Sequence, residues 1–136
     1  MSTKQKISLP TDRLPTIRVV AMPKDTNPGG SIFGGWIMSQ IDSAAAIPAL
    51  ERARGRVVTV AVNSMEFHEP VFVGDVVSCY AEVIKTGRSS ITVNVDVYAE
   101  RNPTDPMIVK VTEAQLTYVA LDENRKPRPL PELNDE

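Results

Sequence analysis

An acid and two adjacent glycines fall within one short run of this 136-residue chain, Thr26 to Asp42 (TNPGGSIFGGWIMSQID). Gly34 and Gly35 stand where a loop gives way to helix-like spacing. Glycine permits close approach of another molecule. The first N–H groups of a helix lack internal partners and point outward with partial positive charge. Such donors suit a carbonyl oxygen that becomes an oxyanion during a reaction. Asp42 is seven residues beyond Gly35. At about 3.6 residues per turn that is nearly two turns, so both face the same way. An acid on the inward surface of a largely apolar helix is costly unless it is partnered or used. The residues alone leave a plainer reading open, in which Gly34–Gly35 is a tight turn and Asp42 a solvated or salt-bridged side chain.

Two other runs carry polar chemistry. Gly87, Arg88, Ser89 and Ser90 form a GRSS turn between two strand-like segments. A guanidinium, two hydroxyls and turn N–H groups can grip a phosphate or pyrophosphate; a solvated hairpin turn is the plainer reading. Arg125, Lys126 and Arg128 cluster in the tail, where a solvated basic segment is expected and an auxiliary phosphate contact is the alternative. His68 is the only histidine, so no His-pair metal site is expected, and it reads as surface or turn structure at a strand end. Cys79 lies inside an alternating strand and reads as core rather than nucleophile, and there is no GxSxG elbow. Trp36, beside the glycine pair, either lines a pocket or anchors the helix.

The elements that must position these residues follow from periodicity. Thr16 to Met22 is a short β-rich run, and Pro23 to Gly30 is dense in turn formers. Trp36, Ile37, Met38, Ile41, Ala44, Ala45, Ala46 and Ile47 lie at helix-compatible spacings. Pro48 is expected to kink or end that helix, and Gly55 marks the exit. Val58, Val60 and Val62 alternate, then Met65 and Phe67 continue in the opposite phase, which predicts a bulge near Asn63–Ser64. Further strands are predicted over Val76 to Thr86, from Ile91 to Tyr98, and over Met107 to Leu121, the last with a bulge or bend between Val111 and Ala114. The connections between the later strands are too short for crossover helices, so antiparallel pairing is expected. The predicted class is α+β. A five-strand sheet is roughly 20–25 Å wide and a helix roughly 10 Å, so strong curvature and a partner subunit are both expected. Residues 1–15 read as a loose arm, 16–122 as one domain and 123–136 as a polar tail.

Composition narrows the function classes. The chain is 42% apolar and 24% charged, which suits one packed domain. A net charge of −2 and no dense basic run argue against nucleic acid as a main partner. No apolar stretch approaches the roughly 18 residues of a membrane span, and residues 1–10 lack a signal-peptide core, so no membrane association is expected. A single cysteine excludes an intrachain disulfide and suits a reducing, cytoplasmic compartment.

The runs NPGGSIFGGWIMSQID, GRVVTVAVNSMEF, PVFVGDVV and KTGRSS, in that order from about Val19 to Leu121, closely resemble the YciA-like branch of hotdog-fold acyl-CoA thioesterases. The resemblance implies a curved antiparallel sheet wrapped around one long helix, dimerised and assembled into a homo-oligomer, tetramer or hexamer. It implies hydrolysis of acyl-CoA to a free acid and CoA, with no metal and no cofactor beyond the CoA of the substrate. Asp42 matches the family's catalytic acid, acting as general base or nucleophile, and Asn27 its loop asparagine. Gly34 and Gly35 match the pair that supplies backbone donors to the thioester carbonyl. Gly87, Arg88, Ser89 and Ser90 match the turn that holds the CoA phosphates, and Thr59 is placed to help polarise the site. In such dimers the site is shared, which allows Asn27 and Asp42 to come from different subunits. A hydroxyacyl dehydratase fits poorly, because the loop before the helix has no histidine. A non-catalytic module binding CoA or a nucleotide is the competing reading.

Overall fold

Gly34–Ala53 form one 20-residue helix, α1, in a computed structural model that describes residues 7–133. Parts of both expected terminal segments, residues 1–6 and 134–136, lie outside the described residues. The buried positions of α1 are Ile37, Ile41, Ala44, Ala45, Ala49 and Ala53, one stripe along the helix. Four of these are alanines, so the sheet comes close to the helix axis.

Pro48 does not end α1, one of the two outcomes its missing N–H predicts; the helix continues to Ala53. An interior proline costs about 3 kcal/mol through the lost bond and the crowded turn. Here Ala44, Ala45, Ala49 and Ala53, on both sides of Pro48, are fully buried, and that packing carries the helix through. The helix closes at Arg54, whose left-handed backbone (φ 53) turns its N–H onto the Leu50 carbonyl.

Five strands follow the expected order: β1 (Ile17–Val20), β2 (Val57–Phe67), β3 (Val76–Thr86), β4 (Ser90–Arg101) and β5 (Met107–Ala120). They form one antiparallel sheet in the order β1-β3-β4-β5-β2. Ile91, Val93, Val95 and Val97 of β4 are fully buried in the core with α1, while Asn94, Asp96 and Tyr98 alternate outward. The predicted bulge near Asn63–Ser64 is present as a register shift between Val62 and Ser64. A second shift, between Thr59 and Ala61, was hidden because the even valines keep alternating through it. The expected bend in β5 is a shift at Val111, opposite Val97 and Tyr98.

Among the described residues strand β2 pairs only with β5, leaving its other edge open. Val58, Val60 and Val62 on it are 41–52% exposed, and Met38, Ile47 and Leu50 of α1 are also exposed. One helix therefore leaves apolar surface uncovered, as the width argument predicts.

The described parts of both terminal segments make contacts with the domain. In the described part of the arm, Arg13 bonds Asp96 at 2.9 Å and lies 5.2 Å over the Tyr80 ring. Arg128 corrects the solvated reading of the tail: it is half-buried, and its guanidinium donates to the Leu121 and Ala53 carbonyls at 2.9 and 2.8 Å. The C-terminal carbonyls of α1 lack helical donors, and Arg128 supplies one.

Candidate active site

Asp42 sits at the middle of α1 with its carboxylate held at one oxygen. Oδ1 accepts from the Thr59 hydroxyl at 2.8 Å and from the Tyr118 hydroxyl at 2.5 Å. Thr59 and Tyr118 are direct partners across β2 and β5, so the sheet register brings both donors to one point. Oδ2 has no partner among the described residues. Burial, then the hydrogen bond to Asp42, push the Tyr118 phenol well above its ordinary value, so it keeps its proton and donates. Asp42, Met38, Ser39, Thr59, Val62, Met65 and Leu116 line an open pocket of about 260 Å³ at the exposed β2 edge. The cost of an acid in an apolar setting is thus met by two donors and by access to solvent.

The helix N-terminus is open. No side chain caps it, and the Gly34 and Gly35 N–H groups have no partner among the described residues. A Cβ added at Gly35 would meet nothing within 4 Å, so a ligand atom can approach its amide. The preceding loop is set by Asn27, whose Oδ1 accepts from the Gly29 and Ser31 N–H groups at 2.9 and 3.2 Å. Its Nδ2 donates to the Ser31 hydroxyl at 3.1 Å. The loop is anchored beside the helix start by Ile32 N–H to the Val71 carbonyl and Phe33 N–H to the Asp25 carbonyl.

These two centres do not meet within one chain. Asp42 is seven residues along α1 from Gly35, about 10 Å of helical rise. Facing the same way, which the spacing predicts, is not proximity. All hydrogen bonds of the Asn27 side chain stay within its own loop.

The GRSS turn lies at the other end of the helix. Leu130 N–H bonds the Arg88 carbonyl, Ala120 N–H the Ser89 carbonyl, and Arg128 joins this segment to Ala53. A Cβ at Gly87 would lie 2.5 Å from the Ser90 hydroxyl, so a larger residue there would force that hydroxyl to rotate away. The exposed Arg88 guanidinium has no ion pair or hydrogen bond among the described residues, and the Arg88 and Ser89 N–H groups are also open. Gly87, Arg88, Ser89 and Ser90 thus stand together, apart from Asp42.

Other candidates resolve simply. Cys79 is fully buried in the core, and burial pushes its thiol up to about 12. His68 is exposed and lines a pocket with Gly34 and Phe67. Trp36 packs against the core and anchors the start of α1. Among the described residues no group of three or more His, Cys, Asp or Glu side chains is placed to hold a metal, and no helix is long and apolar enough to cross a membrane. Tyr118 is the site residue that sequence reasoning missed. Its only signal was a hydroxyl on an otherwise apolar inward phase, Ala114, Leu116, Tyr118, Ala120.

Residues 29–105 match the thioesterase superfamily. The chain belongs to that superfamily. Among curated relatives, the acyl-CoA thioester hydrolase YciA of Salmonella typhimurium is 53% identical over 117 residues, covering 85% of this chain and 88% of that protein. Among solved structures, an alanine variant at an aspartate of a hexameric broad-specificity acyl-coenzyme A thioesterase superposes with a TM-score of 0.85 at 48% identity, covering 90% of both chains. The hexameric thioesterase of Yersinia pestis superposes with a TM-score of 0.83 at 53% identity, covering 92% of this chain and 100% of that one. Like these members of the superfamily, the chain has the hotdog fold, a curved antiparallel sheet around one long helix.

Proposed function

We propose that this chain is an acyl-CoA thioester hydrolase whose active site combines the Asn27–Gly35 segment of one subunit with Asp42 and Thr59 of another. The observation that carries the reading is the Asp42 carboxylate, held by two donors on one oxygen and open on the other at an apolar pocket. The thioester carbonyl accepts from the Gly34 and Gly35 amides, and Asn27 orients the water or the carbonyl. Asp42 takes a proton from water, and the water oxygen bonds to the carbonyl carbon. The C–S bond then breaks, and CoA leaves as thiolate and takes the proton from Asp42. Products are the free acid and CoA, and no cofactor enters.

Two subunits are needed because one carbonyl must lie about 3 Å from its amide donors and within one water of the base, whereas a single helix separates the two groups by about 10 Å. The open β2 edge and the exposed Met38, Ile47, Val58, Val60 and Val62 are the surface for the second copy. The relatives named hexameric support a hexamer of such dimers. The acyl chain lies along Met38, Val62, Met65 and Leu116. Gly87, Arg88, Ser89 and Ser90 hold the CoA phosphates. A soluble cytoplasmic location suits this substrate and the lone reduced cysteine.

The test is thiol release from a panel of short, medium, long and aromatic acyl-CoAs. Loss of a general base costs on the order of 10² to 10⁴ in rate, and Asp42→Ala is expected to show it in kcat. Binding of acyl-CoA without turnover by the native chain would instead favour a non-catalytic module.

A further inference from the structure

Tyr118 takes no chemical step in the mechanism above, yet it makes the shortest hydrogen bond to the proposed base. We propose that Tyr118 is a positioning residue: its hydroxyl, together with that of Thr59, locks the Asp42 carboxylate so that Oδ2 is the oxygen presented to water. The inference rests on the reading of Asp42 as the catalytic base.

An aspartate on an exposed helix face samples several staggered rotamers. Here one oxygen is claimed from two directions. The Tyr118 hydroxyl reaches Oδ1 at 2.5 Å and also lies 2.9 Å from the Asp42 main-chain carbonyl, so it registers the side chain against its own backbone. The Thr59 hydroxyl closes on the same Oδ1 from the edge strand at 2.8 Å. Hydrogen bonds from neutral donors to a carboxylate are shorter and stronger than neutral pairs. Tyr118 is 1% exposed and belongs to the buried core cluster, so the donor itself does not wander. A core position that needed only volume would take phenylalanine. The hydroxyl buried there is aimed at Asp42, with the Thr59 hydroxyl beside it at the same carboxylate oxygen.

The cross-strand register gives this arrangement its precision. Thr59 pairs with Tyr118, and the register of β2 against β5 shifts immediately after the donor, between Thr59 and Ala61. Bulges re-aim side chains in this way.

The experiment is a double-mutant cycle on the full-length enzyme, with kcat and KM for one good acyl-CoA and Tm for each variant. Misplacing a reacting group by about 1 Å costs up to roughly 10²-fold. Tyr118→Phe is expected to lower kcat about 10- to 100-fold with KM within about threefold, and to change nothing further in the Asp42→Ala background. Thr59→Val, on an exposed strand where folding is not at stake, is expected to show the same dependence on Asp42. A purely structural tyrosine would lower Tm and leave kcat alone, which overturns the proposal. Equal losses of kcat with and without Asp42 also overturn it. Near-normal kcat in Asp42→Ala alone overturns the reading of the base itself, whereas loss in Asp42→Ala with none in Tyr118→Phe and Thr59→Val overturns only the positioning role.

Discussion

Mixing two inactive variants tests the shared site directly. Asn27→Ala removes the side chain that sets the loop beside the Gly34–Gly35 amides, and Asp42→Ala removes the base. Along α1 the seven residues from Gly35 to Asp42 rise about 10 Å. The Asp42 Cβ tilts toward the helix N-terminus and recovers only about 2 Å of that. A carbonyl at the amides and a water at the carboxylate are still too far apart to react within one chain. In a two-fold dimer with shared sites, each mixed dimer holds one doubly damaged site and one intact site. Co-expression at equal levels makes about half the dimers mixed, so about a quarter of all sites are intact and about a quarter of native kcat is expected. The assay is thiol release by the co-expressed mixture purified through one tag common to both variants, with each variant alone as baseline. Cys79 is fully buried, so the protein adds little background to a thiol reagent. Activity of the mixture no higher than the average of its parents would refute the reasoning and return the whole site to one chain.

Arg88→Ala should raise KM about 3- to 10-fold through the lost charge-assisted contact while kcat holds; an unchanged KM removes Arg88 from the CoA site. Single turnover in H₂¹⁸O should place the label in the released acid; label in the Asp42 carboxylate, read by peptide mass, would mean direct attack by Asp42. Arg128→Ala should lower stability by about 2 kcal/mol, because the Ala53 and Leu121 carbonyls lose their guanidinium donor; an unchanged Tm rejects this. For Cys79 the thiol is raised from 9.0 to about 12 in the folded chain. Above pH 9 the unfolded thiol ionises while the folded one keeps its proton. Its contribution is therefore full below 9 and is lost as pH rises toward 12. Urea melts between pH 9 and 10 should show a shallower fall in stability for Cys79→Ala than for the native chain.

Much of this protein is set by local pattern. Alternating valines specify strands, the turn-rich Pro23 to Gly30 specifies a loop, and short connections specify antiparallel pairing, because each depends on near neighbours in the chain. The phase reversal after Val62 announced a bulge for the same reason. The glycine pair and the acid were visible as residue types, and the order of motifs identified the superfamily. Tertiary structure decided what local pattern cannot carry. Pro48 is tolerated because alanines on either side of it are pinned by a sheet built from residues far along the chain. Arg128 is not a solvated tail residue because the tail returns to the end of α1. Tyr118 reaches Asp42 across 76 residues of sequence, through the β2–β5 register and the way the sheet curls over the helix. Periodicity reports which way a side chain faces. Which side chains meet is set by distances between elements, and for Gly35 and Asp42 it is the helical rise that keeps them apart in one chain.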